Sequence, residues 1–177
     1  MIQKLGIVYI FLSAILFCQK TNTILIFESG DRLIFSHTTN WKTVVSNFEN
    51  RDSINFSSVN GYDFLMLIVV PKETNSSKFL GLKKNVIQMG RQFLPTATQS
   101  NLLISEIKGT NLIGNFFHLS DKRPLIGEGQ YKEMREGIVE ISDYKIYVAL
   151  LTHTVDGGTV REALTMWKHI IFEKNNK

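Results

Sequence analysis

The chain is poor in the residues that usually announce chemistry. Its one cysteine, Cys18, lies near the N-terminus. No intramolecular disulfide can form, so packing must hold the fold. Four histidines, His37, His118, His153 and His169, stand far apart. None has a second ligand at metal-like spacing on a helix face, so structural roles are expected and no metal or cofactor is implied. A Gly-x-Ser-x-Gly elbow is absent, which removes the usual signature of a serine nucleophile. Gly127-Glu128-Gly129 has no third glycine and does not join a strand to a helix, so it is no dinucleotide loop. Charge of one sign never accumulates: 20 basic residues face 16 acidic ones. The nearest basic cluster, Lys78, Lys83, Lys84 and Arg91, reads as the solvated face of one helix, and nucleic acid is not an expected partner. Only three prolines occur, and no repeat, linker or low-complexity run divides the chain.

The N-terminus is different. Met1-Ile-Gln-Lys4 gives a short positive start, Leu5 to Cys18 is apolar throughout most of its length, and Gln19 to Thr23 is polar. That order matches the n-region and h-region of a secretory signal peptide. A spanning helix needs about 20 apolar residues, so a permanent anchor fits less well. Cys18 at the end of the run also suits a lipidated N-terminus, although Phe17 stands where cleavage favours a small residue. Export to the periplasm or envelope is expected, with membrane contact only through the signal or a lipid on Cys18. Residues 19–177 then form one domain, large enough for its own core.

Short β-rich segments fill the first half: 23–28, 32–37, 41–48 and 53–59. Asn60-Gly61 follows, a pair that suits the positive φ angles of a type I′ hairpin turn. Phe64 to Val70 is apolar at every position, as in an interior strand covered on both faces. From Ser77, Phe79, Leu82, Val86, Met89 and Phe93 recur at helical spacing up to Leu94-Pro95, with Gly81 and Gly90 as weak points. Strands follow at 102–108 and 113–119, then a hairpin from 137–141 and 144–153 around Ser142-Asp143. Thr159 with Glu162 three residues on predicts a capping box for a last helix. Its apolar stripe is Val160, Ala163, Leu164, Trp167, Ile170 and Ile171. The fold class is α+β, a mainly antiparallel sheet packed with two principal helices.

Several of these segments carry a resemblance. Leu80-Gly-Leu-Lys-Lys-Asn-Val86, Gly90-Arg-Gln-Phe-Leu-Pro95, Ile104-Ser-Glu-Ile-Lys-Gly109 and Phe116-Phe-His-Leu-Ser-Asp-Lys122 come first. Gly129-Gln-Tyr131, Leu150-Leu-Thr-His153 and Val160-Arg-Glu-Ala-Leu-Thr-Met166 complete the set. Over roughly Phe79 to Phe172 the chain resembles a group of uncharacterised secreted bacterial proteins, which are similar to the PsbP-like α/β sandwich. Their central turn runs Thr-Asp-Lys, Pro-Gly-Glu-Tyr, Thr-Gln-Gly. Here it departs to Ser120-Asp121-Lys122, Gly127-Glu-Gly-Gln-Tyr131 and Arg135-Glu136-Gly137. The resemblance implies a binding scaffold and no reaction, and it carries over no catalytic residue.

The stretch 120–136 is then the place to look for function. It concentrates Asp121, Lys122, Arg123, Glu128, Lys132, Glu133, Arg135 and Glu136 around Tyr131 and Met134. Charged loops on a rigid sheet are where binding residues gather. A contact surface built on Asp121, Lys122, Arg123, Glu128, Tyr131 and Arg135 suits an envelope protein or a small polar ligand. Two other outcomes stay open: a solvated loop in which Tyr131 packs back on the sheet, and a small periplasmic hydrolase using carboxylates of this loop. A carboxylate pair converging in a deep pocket distinguishes the hydrolase from the binding module.

Overall fold

The computed structural model describes residues 20–48, 51–72, 81–124 and 130–175. The signal segment with Cys18, the Ser77 start of the first helix, and Glu128 lie outside them. Among the described residues, ten strands and two α-helices follow in chain order. First come β1 (Lys20–Ile26), β2 (Arg32–Thr38), β3 (Trp41–Phe48), β4 (Arg51–Ser58) and β5 (Phe64–Pro71). Then α1 (Leu82–Arg91) and a 3₁₀ turn at Leu94–Thr96 precede β6 (Ile104–Lys108), β7 (Leu112–Ser120), β8 (Glu133–Ile141) and β9 (Tyr144–Thr152). The helix α2 (Gly158–Lys168) and the short β10 (Ile171–Glu173) close the chain.

The strands form two sheets. Seven run β3-β4-β5-β9-β8-β7-β6, every neighbouring pair antiparallel, and three run β1-β2-β10. The α+β class with a mainly antiparallel sheet and two helices is what the periodicity predicts. The sequence pattern missed β10, whose three residues are too few for a period to show. It pairs with β2 and draws the C-terminus onto the small sheet.

Side-chain alternation sorts the large sheet into two faces. The inner face carries Ile54, Phe56, Leu65, Leu67, Val69, Val139, Ile141, Ile146, Val148 and Leu150, all buried. Against it pack Leu25, Leu33 and Phe35 from the small sheet, and Val160, Ala163, Met166 and Trp167 from α2. Trp167 is the hub, 0% exposed, with Phe116 edge-on at 5.7 Å between ring centres. Gly137 makes room for Phe116: a Cβ there would come within 2.6 Å of the Phe116 Cβ and 2.2 Å of the Asn115 carbonyl.

The outer face is covered by α1 only over β6, β7 and β8. Val86 is buried there with Phe117, Leu119 and Ile138, and Met89 and Phe93 pack around them. Gly90, a weak point in helix propensity, has a packing purpose. A Cβ on it would sit 2.9 Å from the Phe117 ring, so its absence lets the helix lie close to β7.

Three local expectations are corrected. Asn60-Gly61 does join two strands, but not as a type I′ turn. Only Gly61 has positive φ, and the link spans 59–63. Asn60 Oδ1 instead accepts from the Ser58 hydroxyl at 2.6 Å and the Tyr62 N–H at 3.1 Å. The capping box does not form either: α2 begins at Gly158 behind Gly157, with no side-chain cap. The Glu162 carboxylate accepts the Thr38 N–H at 2.6 Å, so it ties the helix to β2. Finally, β5 is an interior strand, but its outward side chains are only half-buried.

The core predicts the cost of emptying it. Trp167→Ala should lose about 3–5 kcal/mol of unfolding free energy, as large aromatic truncations do. Chemical denaturation followed by circular dichroism checks this. A midpoint equal to wild type would place Trp167 outside the core.

Candidate functional site

One end of the large sheet collects the loops. The β4–β5 link, the β7–β8 connection, the β9–α2 loop and the 3₁₀ turn after α1 meet there. Side chains of the β7–β8 connection, of the segment around the 3₁₀ turn and of the ends of β7, β8 and β9 surround a cleft of about 440 Å³. Phe93, Ala97, Leu119, Met134 and Leu151 give it apolar walls, and Asp121, Arg123, Tyr131 and Lys132 supply polar groups.

A buried carboxylate anchors this end. Glu133 opens β8 on the inner face and is 3% exposed. Burying a lone carboxylate is costly unless donors satisfy it. His118 Nε2 lies 2.6 Å from Glu133 Oε2, and the Ser120 hydroxyl donates to the same oxygen at 2.7 Å. Gln99 extends the chain: its Nε2 donates to Ser120 Oγ at 3.1 Å, and its Oε1 accepts the Ser120 N–H at 2.9 Å. The network links β7, β8 and the segment after α1. His118, Ser120 and Glu133 have the residue types of a base, a nucleophile and an orienting acid. Here, however, the carboxylate sits between the other two, and the hydroxyl gives its proton to the carboxylate rather than to an imidazole. That order anchors a turn and leaves the serine unactivated.

The charged residues named from the sequence divide into several groups. Asp121 and Arg123 form a closed pair: the Arg123 Nε lies 3.0 Å from both carboxylate oxygens and its backbone N–H donates to Oδ1 at 2.8 Å. Arg123 bonding, with Lys132 nearby, holds the Asp121 carboxyl at a pKa of about 2. Lys132 Nζ donates to the carbonyls of Asp121 and Arg123, and Lys122 Nζ to that of Pro95. Both lysines therefore tie down the connection, which turns Asp121, Arg123, Tyr131 and Lys132 to the cleft. Tyr131 is half-buried and meets His153 edge-on at 6.1 Å, and His153 in turn meets the exposed Tyr62 at 5.1 Å. This aromatic row was not legible in the sequence, because its three members come from three separate links.

Arg135 requires a correction. The loop expected to run to Glu136 ends at Glu133, where β8 begins, and Arg135 is 4% exposed on the core-facing side. Its guanidinium donates to the Val155 carbonyl, and burial lowers its pKa against the pull of Glu133 and Asp156. It is an internal strut, not a surface contact. Of the loop's glutamates, Glu133 and Glu136 do not converge: they are three residues apart on one strand and face opposite sides of the sheet, and Glu128 lies outside the described residues. Among the described residues no three His, Cys, Asp or Glu side chains gather as a metal site. The same residues include no helix long and apolar enough to cross a membrane. No protein-family profile matches the chain, and no curated protein matches it.

The Asp121–Arg123 pair makes a titration test. A carboxyl held below its ordinary 3.8 stabilises the folded chain when ionised, and that contribution fades as pH falls from 3.8 towards about 2. Following the Asp121 side chain by NMR should give a midpoint near 2 in the wild type. In Arg123→Ala the midpoint should rise towards 3.8. A wild-type midpoint at the ordinary value would mean that the pair does not persist in solution.

Proposed function

We propose that this protein is an exported, non-catalytic binding or accessory module of the bacterial envelope, built on a PsbP-like sandwich. The loop end of the large sheet is its contact surface. The cleft carries the proposal: an apolar hollow edged by Tyr131, Arg123 and Lys132, with the aromatic row of His153 and Tyr62 beside it. Aromatic and arginine side chains on a fixed backbone are the groups that dominate protein contacts. Glu133 and the two lysines hold that backbone, so little ordering is left to be done on binding. The positive start and apolar run of residues 1–18 support export.

Pull-down from an envelope extract tests the reading. Tyr131→Ala with Arg123→Ala should remove the captured partner while shifting stability by about 0.5 kcal/mol or less beyond the small loss from the Asp121 pair. If capture persists undiminished in the folded double variant, the cleft is not the contact surface. If Tyr131→Ala alone unfolds the domain, Tyr131 belongs to the architecture.

A further inference from the structure

The outer face of the large sheet holds a second hollow that shares no lining residue with the cleft. It measures about 670 Å³ and lies where α1 stops covering the strands. Its walls are Met66, Ile68 and Val70 of β5, Tyr147 and Ala149 of β9, and Met89 of α1. Into this apolar surface β8 sends one carboxylate, Glu136. Its cross-strand neighbours are Phe117 and Ala149, and its neighbours along the same face of β8 are Met134 and Ile138. None of those side chains offers a donor. Burial is the only influence on Glu136 among the described residues, and it raises the carboxyl above its ordinary value.

The cations of this face are remote. Lys145 lies opposite Glu140 in the strand register, four residues along from Glu136, about 13 Å at the rise of a strand, and Lys72 is engaged by Glu140 at 3.6 Å. Arg51 also borders the hollow, but it lies four residues along β4 from Asn55, which pairs with Met66, itself opposite Ala149. Other carboxylates of the domain have partners within reach: Asp121 has Arg123, Glu106 has Lys108, Glu133 has His118. Glu136, set in the apolar hollow, has none among the described residues.

We infer that this hollow binds a small hydrophobic amine, its hydrocarbon body on Met66, Ile68, Tyr147 and Ala149 and its ammonium on the Glu136 carboxylate. An ammonium supplies both the charge and the hydrogen-bond donors that the carboxylate lacks, in a setting where water competes weakly. An aliphatic acid of the same length meets like charge. An alcohol gains the apolar contact but not the ion pair.

Octylamine, octanol and octanoate, each below its aggregation threshold, are the probes. Binding is followed by NMR shifts of the Met66 methyl and the Tyr147 ring in the full-length mature chain. Octylamine should saturate one site and bind about tenfold more tightly than octanol, with octanoate weakest. Glu136→Gln, which keeps the shape and removes the charge, should bring octylamine and octanol to equal affinity. Ala149→Phe, which fills the hollow, should abolish binding of all three. Equal affinities in the wild type, a preference for octanoate, or an octylamine preference that survives Glu136→Gln would each overturn the assignment. So would shifts unaffected by Ala149→Phe, which mark general adsorption. No saturable binding, with a dimer disrupted by Ala149→Phe, would overturn it too and assign the hollow to a second copy of the chain.

Discussion

The loop end of this molecule depends on one buried carboxylate. Glu133 begins β8 among core-facing side chains, where an unsatisfied charge would cost several kcal/mol. His118 and Ser120 of β7 meet it from the neighbouring strand, and Gln99 holds Ser120 from beyond α1. Satisfying Glu133 therefore fixes where β7 ends, how the connection to β8 leaves the sheet, and how the segment after α1 docks. Arg135, two residues on and facing the same side, adds a cation whose guanidinium holds the β9–α2 loop through Val155. The cleft is the space these constraints leave between the links.

The two faces of the sheet follow different rules. The inner face is closed by Trp167 and the small sheet, and its register is fixed because a slip by one residue would turn every apolar side chain outward. Among the described residues the outer face is closed only where α1 lies over it, with Gly90 allowing the close approach. Beyond the edge of α1, apolar residues of β5 and β9 line an open hollow. An interior strand that is apolar on both faces is normally covered on both. Half-burial of Met66, Ile68 and Val70 is therefore the departure from pattern that singles out this surface, and among the described residues Glu136 is the one carboxylate that lines it.

Much of the architecture was legible because it is periodic. Alternation in β2, β4 and β7 and the three-to-four spacing in α1 and α2 locate elements and core residues directly. What was not legible is what depends on partners distant in sequence. Glu162 three residues after Thr159 looks like a cap, yet Thr38, from the far end of the chain, claims its carboxylate. Arg135 and Glu133 look like loop charges because polar residues surround them, yet pairing with Leu150 and Thr152 makes them strand residues. His118 shows only a polar residue alternating with Phe117 and Leu119. Its carboxylate partner, fifteen residues away, emerges only once β7 and β8 are in register. The aromatic row was hidden for the same reason.

Hydrogen exchange on Glu133→Leu tests the central claim most directly, that this carboxylate holds the loop end while the apolar core holds the domain. In this variant the amides of Ser120, Asp121 and Lys132 should lose protection, while those of β5, β9 and α2 keep theirs. Unchanged protection at Ser120, Asp121 and Lys132 would contradict it. So would a uniform loss across the domain, which would make Glu133 part of the global core rather than the anchor of one end.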